Sequence, residues 1–168
     1  MADNLPELAA RVVAVCSANR IQLVLAESLT GGMAASALVA VPGASAVLLA
    51  GIIAYHDSAK HQLLGVPAVT LATFGAVSEQ CAMSMAEGAR QQLVNVPDIA
   101  TERVIGLSTT GVAGPDSQEG KPVGQVHIAL ANAGGTTAKS LSLTGPRSEI
   151  REQACVCLFQ LLLEQLAG

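Results

Sequence analysis

Ile21-Gln22-Leu23-Val24-Leu25-Ala26-Glu27-Ser28-Leu29-Thr30-Gly31-Gly32 is the stretch that decides the fold. Its first six residues are nearly all apolar and do not alternate with polar ones. Such a run reads as a short strand buried on both faces, the habit of a parallel sheet. Ser28 leaves the strand. Thr30-Gly31-Gly32 then opens a helix over Met33 to Val41, with Thr30 predicted as its N-cap. On the N-terminal side, Leu5, Leu8, Ala9, Val12, Val13, Val15 and Cys16 form a helical stripe over Leu5 to Ala18.

The same alternation continues. Pro42-Gly43 ends the second helix, and Val47 to Tyr55 reads as a strand. Asp57 is predicted to cap a short helix that closes at Gly65, and Val66-Pro67 begins a connection. Ser78 is predicted to cap a helix running to about Val94. Arg103 to Thr109 reads as a strand, and 111–122 as a loop. Val123 to Leu130 and Ala138 to Leu143 read as a hairpin. Pro146 starts a last amphipathic helix to Leu166. Helices alternating with apolar strands imply an α/β fold, and the hairpin implies a mixed, mostly parallel sheet between helices.

Composition sets limits. The chain has 168 residues, enough for one domain over 1–168 that buries about 70% of its extended surface. With 51% hydrophobic and 13% charged residues it is not disordered. A net charge of −4, a pI near 5.2 and scattered basic residues argue against a nucleic-acid partner. Mean hydropathy is +0.48, yet Pro42-Gly43 splits the uncharged stretch from Leu29 to His56, so no membrane span is expected. The N-terminus carries Asp3 and Glu7 and no signal-peptide pattern. Cys16, Cys81, Cys155 and Cys157 lack metal spacing and read as reduced, mostly buried thiols of a cytoplasmic protein. His56, His61 and His127 form no ligand pair and read as surface or boundary residues. Scarce surface charge leaves self-association open.

Three strand ends carry candidate chemistry. At Glu27-Ser28-Leu29-Thr30-Gly31-Gly32, a serine and free N–H groups at a helix start suit an anion or an oxyanion; an ordinary capped turn is the alternative. At Tyr55-His56-Asp57-Ser58-Ala59-Lys60, the only tyrosine precedes one of three lysines. A lysine in a first helical turn sits against the positive end of the dipole, a placement suited to a general base; a solvated lysine is the alternative. Thr110-Gly111-Val112-Ala113-Gly114-Pro115, and later Arg147, offer a small-residue loop and a phosphate clamp. The alternative for Arg147 is a surface ion pair with Glu149 or Glu152. In open α/β sheets ligands bind beyond the carboxyl ends of strands, so these segments are expected to converge.

Six motifs occur in one order: Ala26-Glu27-Ser28-x-Thr30-Gly31-Gly32, Tyr55-x-x-x-Ala59-Lys60, Leu64-Gly65-Val66, Gly75-Ala76-Val77-Ser78, Thr110-Gly111-Val112-Ala113-Gly114-Pro115 and Lys121-Pro122-Val123-Gly124. Together they resemble the CinA C-terminal-domain family, whose active members are nicotinamide-nucleotide amidases. The resemblance runs from about residue 5 to 165. It implies a three-layer α/β/α sandwich in its stand-alone form. It implies hydrolysis of nicotinamide mononucleotide to nicotinic acid mononucleotide and ammonia, with no metal or organic cofactor. By the same resemblance the catalytic residues are Ser28 as nucleophile, Lys60 as base and Tyr55 beside them. Glu27, Thr30, Gly31, Gly32, Thr110, Gly111, Ala113, Gly114 and Arg147 are expected to bind substrate. Leu29, Val47-Leu48, His56-Asp57 and Asp116-Ser117-Gln118 depart from the family pattern. Asp57 places a negative charge three residues from Lys60, which works against a base role. A non-catalytic nucleotide-binding paralogue, or a serine amidase for another amide, are the alternatives.

Overall fold

A buried parallel strand needs cover on both faces, and helices supply it here. The computed structural model describes residues 4–94 and 96–168; Asp3 lies outside them. The α-helices and strands follow in order: α1 Leu5–Asn19, β1 Gln22–Glu27, α2 Met33–Val39, β2 Leu48–Ile53, α3 Asp57–Leu64, α4 Ala68–Phe74, α5 Glu79–Gln91, β3 Val104–Gly111, β4 Gln125–Asn132, β5 Gly135–Ser142 and α6 Arg147–Ala167. The sheet order is β2-β1-β3-β4-β5. β1 pairs parallel with β2 and β3, and β4 pairs antiparallel with β3 and β5. The result is a mixed sheet between two helical layers.

Alternation along the inner strands divides the core. Leu23 and Leu25 of β1 and Leu107 of β3 face one way, against Leu8 and Val12 of α1 and Leu158 and Phe159 of α6. Val24 and Ala26 face the other way, against Cys81 and Met85 of α5. Small residues bring α5 close to the sheet: Ala82 and Ala86 pack on Ala129 and Ala131. A Cβ on Gly106 of β3 would stand 2.0 Å from the Ala86 carbonyl oxygen, so the close approach requires glycine there.

Local chemistry sets the ends of the helices, with some corrections to expectation. Asn4 caps α1 by accepting from the Glu7 N–H at 2.9 Å, and Ser78 caps α5 by accepting from Cys81 at 3.1 Å. Thr30 does not cap α2; Gly32 stands at that position with φ 93. Asp57 is the first residue of α3 and not its cap, because the His56 ring nitrogen accepts from the Ser58 N–H at 3.2 Å. The connection after Pro67 contains a helix, α4. None of its residues is buried, so it has no periodic apolar face to betray it. His127 is buried on β4 and not on the surface, bonded to Ser140 Oγ at 2.8 Å. Burial holds its imidazole below the usual pKa. Among the described residues no helix is long and apolar enough to cross a membrane.

Candidate active site

Parallel pairing places the carboxyl ends of β1, β2 and β3 side by side, and the candidate residues follow them. Ser28 leaves β1, and its N–H donates to the Thr109 carbonyl of β3 at 3.0 Å. Tyr55 follows β2 and leads into α3, which carries Lys60. A cavity of about 100 Å³ opens between these ends. Ser28, Leu29, Tyr55 and Lys60 line it, together with Thr110, Gly111, Ala113, Gly114 and Arg147. Ala76, Val77, Val112, Asp116 and Gln118 complete the wall.

Ser28 is 7% exposed, and its hydroxyl has no hydrogen-bond partner among the described residues. Lys60 is 2% exposed, unusual for a lysine. Its Nζ donates to the Tyr55 carbonyl at 3.4 Å and lies 3.5 Å from Asp57 Oδ1. Tyr55 is mostly exposed, and its hydroxyl accepts from Arg147 Nη2 at 2.8 Å. Arg147 Nη1 donates to the Gly114 carbonyl at 2.6 Å. Arg147 therefore ties the loop after β3 to the end of β2. Among the described residues it makes no ion pair with Glu149 or Glu152. An arginine has five N–H donors, so this one keeps donors for a ligand.

Glu27, Thr30, Gly31 and Gly32 do not line the cavity. The Glu27 carboxylate accepts from the N–H groups of Gly32 at 3.0 Å, Ala34 at 3.2 Å and Ala35 at 2.8 Å. It is the acidic cap of α2: a carboxylate one residue before the turn meets the orphan donors and the positive end of the helix. The Thr30 hydroxyl pairs with the Thr109 hydroxyl at 2.7 Å. Gly31 donates to the Ser28 carbonyl at 3.0 Å. The glycine N–H groups expected to serve an anion are thus already occupied. The Thr110 hydroxyl, likewise, donates to the Ala76 carbonyl at 2.7 Å, so Thr110 meets the cavity without a free donor.

Sequence reading missed Arg151. Its Nε donates to the Leu29 carbonyl at 2.9 Å and its Nη2 to the Thr30 carbonyl at 2.8 Å. The i, i+4 spacing from Arg147 would have put both guanidinium groups on one helical face. The Glu119 carboxylate was missed as well; it accepts from the Ala76 N–H at 3.0 Å and ties the 114–122 loop to the start of α5.

Comparison with known proteins supplies the context. The model of the CinA C-terminal domain matches residues 5–166. A CinA-like protein of Anaeromyxobacter sp. (strain K) is 46% identical over 161 residues, covering 95% of this chain and 37% of the relative. One from Frankia casuarinae is 46% identical over 146 residues, covering 87% of this chain and 32% of the relative. The chain thus spans about a third of the length of these relatives. The competence/damage inducible protein CihA of Agrobacterium tumefaciens superposes with a TM-score of 0.88 at 34% identity, covering 99% of this chain and 97% of that one. A CinA superfamily protein of Klebsiella pneumoniae gives 0.89 at 34% identity, covering 98% and 99%.

Proposed function

Because the chain belongs to the CinA C-terminal domain family, we propose that it is an amidohydrolase that converts nicotinamide mononucleotide to nicotinic acid mononucleotide and ammonia. One observation carries the reading: Ser28, whose hydroxyl is unpartnered among the described residues, the buried Lys60 and Arg147 line one cavity. A serine needs an adjacent base to become a nucleophile, and lysine is the base at hand.

The chemistry follows from these positions. Ser28 Oγ bonds to the carboxamide carbon while Lys60 Nζ takes the serine proton. The carbonyl π pair moves to the oxygen. On collapse the C–N bond breaks, and the nitrogen leaves as ammonia with the proton from Lys60. Water then adds to the ester carbon and gives a proton to Lys60. Collapse of that second adduct frees the acid and returns the proton to Ser28. The sum is amide plus water to acid plus ammonia. A cavity of about 100 Å³ admits the amide end. A whole ligand of this class needs roughly 300 Å³ or more. The ribose and phosphate therefore extend toward Tyr55 and Arg147. The N–H groups of Ala113 and Gly114, unpartnered among the described residues, are further donors on that wall.

One contact favours a second reading, a non-catalytic nucleotide-binding member. The Asp57 carboxylate lies 3.5 Å from Lys60 Nζ and so competes with Ser28 for the amine. Ammonia release from nicotinamide mononucleotide by the purified chain, against a Ser28→Ala control, separates the two. The amidase reading expects release that the control lacks. Binding of the nucleotide with no release above the control supports the second reading. Release only from other amides moves the substrate and keeps the nucleophile.

A further inference from the structure

The cavity of about 100 Å³ is smaller than the nucleotide proposed for it, which needs roughly 300 Å³ or more. Its wall has to part to admit that ligand or leave some of it outside, and one segment of the wall is lightly held. Residues 115–120 are exposed, yet Asp116 and Gln118 among them line the cavity. Arg147 fixes the start of this loop through the Gly114 carbonyl at 2.6 Å. From Pro115 to Lys121, among the described residues, a single hydrogen bond leaves the loop. In it the Ala76 N–H donates to Glu119 Oε2 at 3.0 Å.

The loop tip is shaped around this bond. Gln118 and Lys121 exchange backbone hydrogen bonds at 3.1 and 2.8 Å, so Glu119-Gly120 is a two-residue hairpin turn. Both central residues have positive φ, 52 and 73, which is type I′ geometry. Gly, Asn and Asp are the usual occupants, and a glutamate there is an outlier whose reason lies outside the turn. On the facing wall Gly75 has φ 80, and a Cβ on it would stand 2.5 Å from Glu119 Oε2. With no side chain on Gly75, the carboxylate has room beside the Ala76 N–H. Ala76 is itself anchored, since its carbonyl accepts from the buried Thr110 hydroxyl at 2.7 Å. Ala76 and Val77 line the cavity together with Ser28. The contact thus joins Gly75-Ala76-Val77-Ser78 to the turn that leads into Lys121-Pro122-Val123-Gly124, two motifs to which the chemistry above gives no role.

We infer that Glu119 is a positioning residue: its carboxylate latches the 115–121 loop across the cavity, as a lid that opens for the nucleotide and retains it once closed. The inference rests on the reading of the cavity as a nucleotide site. A latch of this kind acts on binding and not on the reacting carbon. Its loss leaves the turn and the fold in place, lets ligand escape sooner, and leaves the chemical step alone.

The experiment compares the full chain with Glu119→Gly, which suits the positive φ and removes only the carboxylate. Exchange of the Ala76 amide hydrogen, read by NMR in the free protein, is expected to speed up about 10- to 100-fold, because a hydrogen bond to a charged group is lost. KM for nicotinamide mononucleotide should rise about 3- to 10-fold with kcat within about twofold, since a smaller fraction of the chain is closed. Nicotinic acid mononucleotide should dissociate faster by a similar factor. Glu119→Gln, whose amide oxygen still accepts from Ala76, should bring KM back to within about threefold of wild type. Unchanged Ala76 exchange in Glu119→Gly overturns the latch. Faster exchange with KM and product dissociation unchanged overturns its role at the site and leaves Glu119 a structural tie. In a chain that releases no ammonia, faster dissociation of nicotinic acid mononucleotide from Glu119→Gly supports the latch while rejecting the amidase. A chain that binds neither nucleotide overturns both.

Discussion

In the proposed reaction Lys60 is the group asked to take the serine proton. Its amine is packed at 2% exposure between the Tyr55 carbonyl and Asp57. Lys60→Arg keeps a cation there but supplies a group that stays protonated, so it cannot take the serine proton. The expected result is near-complete loss of kcat, with nucleotide binding within a few-fold; an unchanged rate would remove Lys60 from the mechanism. In the same proposal Arg147 and Tyr55, which contact each other at 2.8 Å, are binding groups and not reacting ones. Arg147→Ala is expected to raise KM about tenfold or more by removing a charged donor to the phosphate. Tyr55→Phe should raise it only about two- to threefold, since it removes one neutral hydrogen bond. If Lys60→Arg and Arg147→Ala change the same kinetic constant, this division between reacting and binding groups is wrong.

At the scale of elements, burial explains what was legible. β1 and β3 are buried throughout most of their length, and their apolar runs announced them. α1 and α5 show clear stripes because one face of each packs on the sheet. α4 has no buried residue, so no period marks it, and only the structure reveals it. The site was legible in part for a related reason. Residue type and order located Ser28, Tyr55, Lys60 and Arg147, while the partners of Glu27 and Arg151 are set by tertiary contacts that no local pattern encodes. Glu27 was expected among the substrate-binding residues through the family resemblance; its three bonds to the start of α2 make it part of the scaffold. The closeness of α5 to β3 gives an element-scale expectation. Gly106→Ala would drive a methyl to 2.0 Å from the Ala86 carbonyl oxygen, a backbone atom that cannot yield alone. Overpacking of this kind costs about 1–3 kcal/mol, or roughly 3–10 °C in Tm for a domain of this size. A thermal melt unchanged from wild type would mean that α5 lifts from the sheet at no cost.

At the scale of the whole molecule, the two core layers also hold the thiols, and this links the fold to pH. Cys16 and Cys81 are fully buried, on opposite faces of the sheet. Burial pushes Cys16 from 9.0 up to about 12. It also pushes Cys81 up to about 11, with Asp57 and Glu119 adding to the rise and Lys60 opposing it. Burial raises Cys155 and the half-buried Cys157 in the same direction. Unfolding releases these thiols to their ordinary range near 9, where they ionise more readily than in the native state. Above that pH the unfolded chain binds fewer protons than the folded one, so stability falls as pH rises. The contribution is complete below about 9 and is lost progressively through about 11 to 12, with a limiting slope of about 1.4 kcal/mol per pH unit for each thiol. Urea unfolding of the wild type and of Cys16→Ala at pH 8.0 and 10.5 isolates the effect from tyrosine and lysine titration. The wild type is expected to lose more stability across that interval than the variant, although the variant starts less stable because of its cavity. Equal losses in the two proteins would remove Cys16 from the alkaline response. A thiol reagent at neutral pH should agree: Cys157 reacts first in the native protein, and the three buried thiols react only as the layers separate.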